Sequence, residues 1–174
     1  MNTHADDGRA RELEAVLGLV RSRTTSVQRD VLERFVVRYF GQVDPEDLVE
    51  RASADLYGAA LSHWNFARKR EVGYARVRVF NPSIEEHGWQ STHTIVEIVN
   101  DDMPFLVDSV TMEVNRHGLT LHLIVHPLIA VLRSKDGILS DVAPQDAPDA
   151  IRESFIHVEV DRLTEASRLA ALDR

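Results

Sequence analysis

Two groups of residues in this chain have types and spacings that can do chemistry. The first is Asn100-Asp101-Asp102-Met103, directly before Pro104 and an apolar helical pattern. Amide N–H groups at a helix start suit a carboxylate, and adjacent aspartates can hold an ammonium group, so one reading is a polar binding turn. The other reading is helix capping by the same side chains. The second group is His93, Glu97, His122, His126, His157 and Glu159. Alternate residues of a strand share a face, so these six are expected together on one side of a sheet. There they form either a polar or pH-sensitive interface with another domain, or a wet or hydrogen-bonded packing surface. His122 and His126 have the HxxxH spacing of a helical zinc site. On a strand, however, that separation covers roughly 13 Å at about 3.3 Å per residue, too far for one ion. No metal site is expected.

Other chemistry finds little support. The chain has no cysteine, which removes disulfides, thiolate metal ligands and a cysteine nucleophile, and suits the cytoplasm. No GxGxxG, GxxxxGK[ST] or GxSxG pattern occurs, so neither a cofactor-binding nor a catalytic residue is assigned. A formal net charge of −8 argues against nucleic acid or an anionic membrane as partner. The first residues, MNTHADDG, lack the basic-then-apolar order of a secretory signal. The longest apolar run, Leu119 to Leu132, is broken by two histidines and a proline and reads as sheet. With 44% apolar and 28% charged residues, the composition is that of an ordinary soluble globular protein.

The elements that must position these groups follow from periodicity. Residues 1–8 are expected to be loose. Helical spacing follows in Leu13, Val16, Leu17 and Val20, and again in Val27, Val31, Phe35 and Tyr39. Asp44-Pro45 is a strong helix start, and helix continues, with a break near Ser53, to about Lys69. From Ala75 to Phe80 the pattern is that of a strand with one wet face or edge. Thr94, Val96 and Ile98 alternate as a strand; a helix closes at Gly118; Leu119, Leu121, Leu123 and Val125 return to strand. Lys135-Asp136-Gly137 marks a hairpin, residues 143–150 a linker, and Phe155 to Val160 another strand before a last helix. The fold class is α+β: a helical segment over 9–70, then a ferredoxin-like βαββαβ domain over 74–174, incomplete in its second helix. The final strand of that fold is missing from its usual place; either the 75–80 strand fills the vacant edge, or the open edge invites pairing with another chain.

These residues also carry a resemblance. Asn-Asp-Asp-Met-Pro-Phe-Leu-Val-Asp-Ser (100–109), His-Leu-Ile-Val-His-Pro (122–127) and Glu-Ser-Phe-Ile-His-Val-Glu-Val-Asp-Arg (153–162) resemble the N-terminal region of the very large bacterial NAD-specific glutamate dehydrogenases. Val-Phe-Asn-Pro (79–82) and Gly-Trp-Gln-Ser-Thr-His-Thr (88–94) are similar too, so the likeness spans residues 30–174. It implies ACT-type modules that bind amino acids or mediate assembly, with nicotinamide and glutamate sites elsewhere in a longer polypeptide. The implied partners are the rest of that polypeptide, further copies of it in a homo-oligomer, and an amino-acid effector. The resemblance implies an effector site at the turn of Asn100, Asp101, Asp102 and Met103, which departs from many effector-binding ACT loops in carrying no glycine.

Overall fold

The computed structural model describes residues 3–173. Four helices come first: α1 (Thr3–Arg23), α2 (Ser26–Phe40), α3 (Pro45–Val49) and α4 (Ser53–Ala67). Residues 3–8 are helical rather than loose, and residues 1 and 2 lie outside the described residues. Asp44 caps α3 by accepting from the Glu46 amide at 3.1 Å, with Pro45 at the first helical position where its absent N–H costs nothing. The expected break follows, and α4 restarts at Ser53.

Six strands form one antiparallel sheet: β1 (Arg76–Phe80), β2 (Thr94–Asp101), β3 (Leu121–Val125), β4 (Leu128–Arg133), β5 (Leu139–Val142) and β6 (Ile151–Val160). Between and after them lie α5 (Ile84–His87), α6 (Leu106–Arg116) and α7 (Ala166–Leu172). β6 is central. β2 runs along one of its edges, while β3 and β4 share the other, end to end. Pro127 interrupts them because it has no N–H to donate, yet its carbonyl still accepts from Phe155 at 3.1 Å. β1 pairs with β2 in the place a final ferredoxin-like strand would take, so the edge is filled from upstream in the sequence. α7 is tied to that strand through Asp173, which accepts from the Val79 amide at 2.9 Å.

The sheet separates two cores. On one face Val96, Ile156, Val158 and Val160 pack with Val114 of α6 and Leu172 of α7. On the other, Val99, Leu123, Val125, Ile129 and Phe155 pack with Leu32, Phe35 and Tyr39 of α2 and Leu56 and Ala60 of α4. The helical segment is therefore one layer of a three-layer sandwich. Buried ions fasten it. Glu153, fully buried, accepts from Arg133 at 2.6 and 2.8 Å and from Arg70 at 2.6 Å, while Arg70 also reaches Asp101 at 2.5 Å. This joins the loop after α4 to β2, β4 and β6. Gly137, at φ 76°, lies so close to this loop that an added Cβ would sit 2.2 Å from the Arg70 carbonyl oxygen.

Candidate functional site

The first candidate group is not a helix cap. β2 continues through Asp101, which pairs with Glu153 across the sheet and with the Arg70 guanidinium. Asp102 lies 3.5 Å from Arg152, and the Asn100 amide donates to the Met103 sulfur. α6 starts only at Leu106, behind Phe105, which occupies the left-handed region at φ 64° and offers no capping side chain. The acids of the turn are drawn into strand pairing and ion pairs because Arg70 and Arg152 lie beside them; the sequence pattern did not reveal those partners.

The second group is mostly brought together. Glu97, His157 and Glu159 all lie on the face toward the N-terminal helices, and His93 joins them at the entry to β2. Glu97 is fully buried and accepts from Arg78, which also reaches the Ser62 hydroxyl at 2.9 Å. Glu159 accepts from Arg51 at 2.7 Å and sits 3.4 Å from His93 and 3.7 Å from His157. Burial pushes the Glu159 carboxyl up, but contacts with His157 and Arg51 outweigh it and hold the group down to about 2. Burial lowers His93, against the opposing pull of Glu159.

Two histidines depart from simple alternation. Leu121 pairs with Val160 but Leu123 pairs with Glu159, so β3 carries one extra residue, His122, in a bulge. Leu121 and Leu123 therefore face opposite cores, contrary to the alternating pattern. The bulge sets His122 against His93, with ring centroids 4.3 Å apart, and its Nε2 reaches Asp161 at 2.7 Å. Past the bulge the parity is reversed. His126 consequently sits beside the Ser154 hydroxyl on the α6 side and leaves the cluster.

Around Arg51, His93, His157 and Glu159 the helical layer and the sheet stand apart, leaving a cavity of about 510 Å³. Its floor is aliphatic, from Leu56 and Ala59 of α4 and Leu123 and Val125 of β3, and the 89–93 loop closes one side. Asp55 holds that loop by accepting from the Gln90 amide at 3.2 Å. Trp89 is buried over Gly58, where any added Cβ would sit 2.2 Å from the Trp89 Cβ and 2.4 Å from the indole Cγ. Arg51, Asp55 and Trp89 were not among the residues singled out by pattern. Arg51 finds Glu159 from 108 positions away, a pairing with no local signature. Among the described residues no group of three or more potential ligands is arranged to hold a metal, and no helix is long and apolar enough to cross a membrane.

An antiparallel ferredoxin-like sheet with α6 and α7 on one face and a helical layer on the other defines an ACT-like α+β domain. The family model described as glutamate dehydrogenase, ACT1 domain, matches residues 35–174, and the chain belongs to that family. An NAD-specific glutamate dehydrogenase of Halomonas elongata is 43% identical over 157 residues, 88% of this chain and 10% of the relative. One of Pseudomonas aeruginosa is 39% identical over 142 residues, 80% of this chain and 9% of the relative. The chain thus spans about a tenth of the length of these curated relatives.

Proposed function

We propose that this chain serves as a non-catalytic regulatory or assembly region of an NAD-dependent glutamate dehydrogenase, an enzyme oxidising L-glutamate to 2-oxoglutarate and ammonium. The observation that carries this reading is the alignment of nearly the whole chain with only about a tenth of two such enzymes. The 174 residues contain no dinucleotide-binding fingerprint, which fits NAD being held by other parts of the polypeptide. The partners on this reading are those other parts, further copies of the chain in a cytoplasmic homo-oligomer, and an amino-acid effector.

The polar cluster supports an organising role. Its charged groups are largely engaged with one another across the helix–sheet boundary, an arrangement that fixes the position of one layer on the other. The test is a spectrophotometric assay of the purified chain with L-glutamate and NAD+. No NADH should form, and sedimentation should show the chain's contribution to self-association. Turnover by the isolated chain would overturn the reading.

A further inference from the structure

We propose that the cavity between α4, the 89–93 loop and strands β3 and β6 binds a small organic cation of the amino-alcohol class and rejects carboxylates. The ammonium group goes to the acidic wall of Asp55 and Glu159, the hydroxyl to Trp89 and the methylene stem to the aliphatic floor. This goes beyond the regulatory reading above and does not depend on it.

Charge sets the first requirement. Three carboxylates, Glu50, Asp55 and Glu159, line the cavity against one guanidinium, Arg51. All three nitrogens of that guanidinium are already engaged. Two donate to Glu159, at 3.4 and 2.7 Å, and the third donates to the Asp47 carbonyl at 2.5 Å. With its histidines neutral the cavity is therefore net acidic, so an entering carboxylate is repelled and an ammonium group attracted. Asp55 engages one oxygen with the Gln90 amide at 3.2 Å, which leaves the other for a ligand. Burial raises the Glu159 carboxyl, but His157 and Arg51 hold it down to about 2, so it is charged at neutral pH.

Unpartnered polar atoms set the second requirement. Trp89 and His157, only 3% and 2% exposed, line the cavity and carry ring nitrogens, Nε1 and Nδ1, without a protein partner. An indole N–H can only donate, so the ligand must present an acceptor to it. With the other histidine nitrogen turned to Glu159, Nδ1 of neutral His157 accepts, so the ligand must present a donor there. Buried polar atoms without partners are rare in folded proteins and call for explanation by a bound species. A bare alkylamine lacks the acceptor and a plain alcohol lacks the charge; an amino alcohol has both. Its stem suits the floor of Leu56, Ala59, Leu123 and Val125, and about 510 Å³ lies within the usual range for small-molecule sites. A divalent ion lacks a ligand set among the described residues.

The experiment is calorimetric titration of the purified chain with ω-aminopropanol and ω-aminopentanol at about pH 8, where an ordinary histidine is neutral. Pentylamine lacks the hydroxyl, pentanol lacks the charge, and ω-aminopentanoate carries a carboxylate in place of the hydroxyl. At least one amino alcohol should bind saturably, and each control should bind at least about fivefold more weakly. Asp55→Asn keeps an oxygen for the Gln90 amide but removes the charge, and should weaken binding at least about tenfold. Trp89→Phe removes the indole N–H, and should weaken ω-aminopentanol about fivefold while leaving pentylamine unchanged. Circular dichroism checks both variants; if Trp89→Phe does not fold, Asp55→Asn and the three controls decide. The proposal is overturned if no amino alcohol binds, if any control binds as tightly, or if folded Asp55→Asn leaves binding intact. Failure on any of these counts removes this site alone, whereas glutamate turnover by the isolated chain removes the regulatory reading alone.

Discussion

The two faces of the sheet are built from different materials, and they fix their helices in different ways. Toward α6 and α7 the strands present Val96, Ile156, Val158 and Val160, and among the described residues the contact is mainly aliphatic, without a buried ion pair. Toward α1–α4 the same strands interleave aliphatic side chains with Glu97, Glu153, His157 and Glu159, all buried. Hydrophobic contact is non-directional and tolerates repacking. A buried ion pair is directional: it adds little net stability over an apolar replacement, but losing one partner is costly. Both faces bury an apolar core, and the charged one in addition fixes where the helical layer sits and leaves a cavity where the two do not meet.

Removing charge from the second face should have the largest effect. Glu153→Ala strands two buried guanidinium groups and should cost about 3–5 kcal/mol by urea unfolding. On the aliphatic face, Ile156→Val should cost about 0.5–1.5 kcal/mol. Equal costs would erase the distinction between the faces.

Next in size is a pH effect centred on the helical side. His63 is fully buried; its Nδ1 accepts from the Tyr39 hydroxyl at 2.8 Å and its Nε2 donates to the Ile98 carbonyl at 3.1 Å. Burial, its largest influence, lowers it to about 4 from the ordinary 6.5. The unfolded chain takes up the proton first. Stability is therefore complete above pH 6.5 and falls as pH drops from 6.5 to 4, by about 3 kcal/mol. Glu159, held at about 2 against an ordinary 4.5, adds its own loss only as pH falls from 4.5 to 2. Unfolding free energies measured from pH 8 to 4 should show the first loss, and His63→Phe should flatten it.

Gly58→Ala should destabilise by about 1–3 kcal/mol, because its Cβ must displace Trp89. Indole fluorescence will report the movement. At the bottom of the scale, Arg116→Ala breaks an exposed pair with Glu113 on the outer surface of α6 and should leave the melting temperature unchanged.

Local signals were legible in the sequence and long-range ones were not. Asp44-Pro45 announced α3 because a cap and its helix are neighbours. The vacant edge beside β2 left two occupants open, the 75–80 strand or another chain, and the ladder from Arg76–Val99 to Phe80–Ile95 decides for β1. The bulge at His122 left no trace in composition, since one inserted residue changes parity without changing residue types; His126 was misplaced on that account. α5 was missed although Ser83 and Glu86 carry the Ser-x-x-Glu start signal, with the Ser83 hydroxyl accepting from the Glu86 amide. Arg51, Arg70 and Arg133 carry no local signal of a role in the sequence. Only the fold, which brings each beside a buried glutamate, gives them their roles.

The most direct test of the central claim is the initial rate of a full-length NAD-dependent glutamate dehydrogenase bearing this region, with His157→Gln and Glu159→Gln introduced separately. A catalytic acid or base lost in this way costs about 10²–10⁴-fold in rate. The organising role predicts a kcat at saturating L-glutamate and NAD+ close to that of the unsubstituted enzyme, with any change confined to effector response or assembly. A kcat lowered a hundredfold or more in a properly assembled enzyme would contradict it.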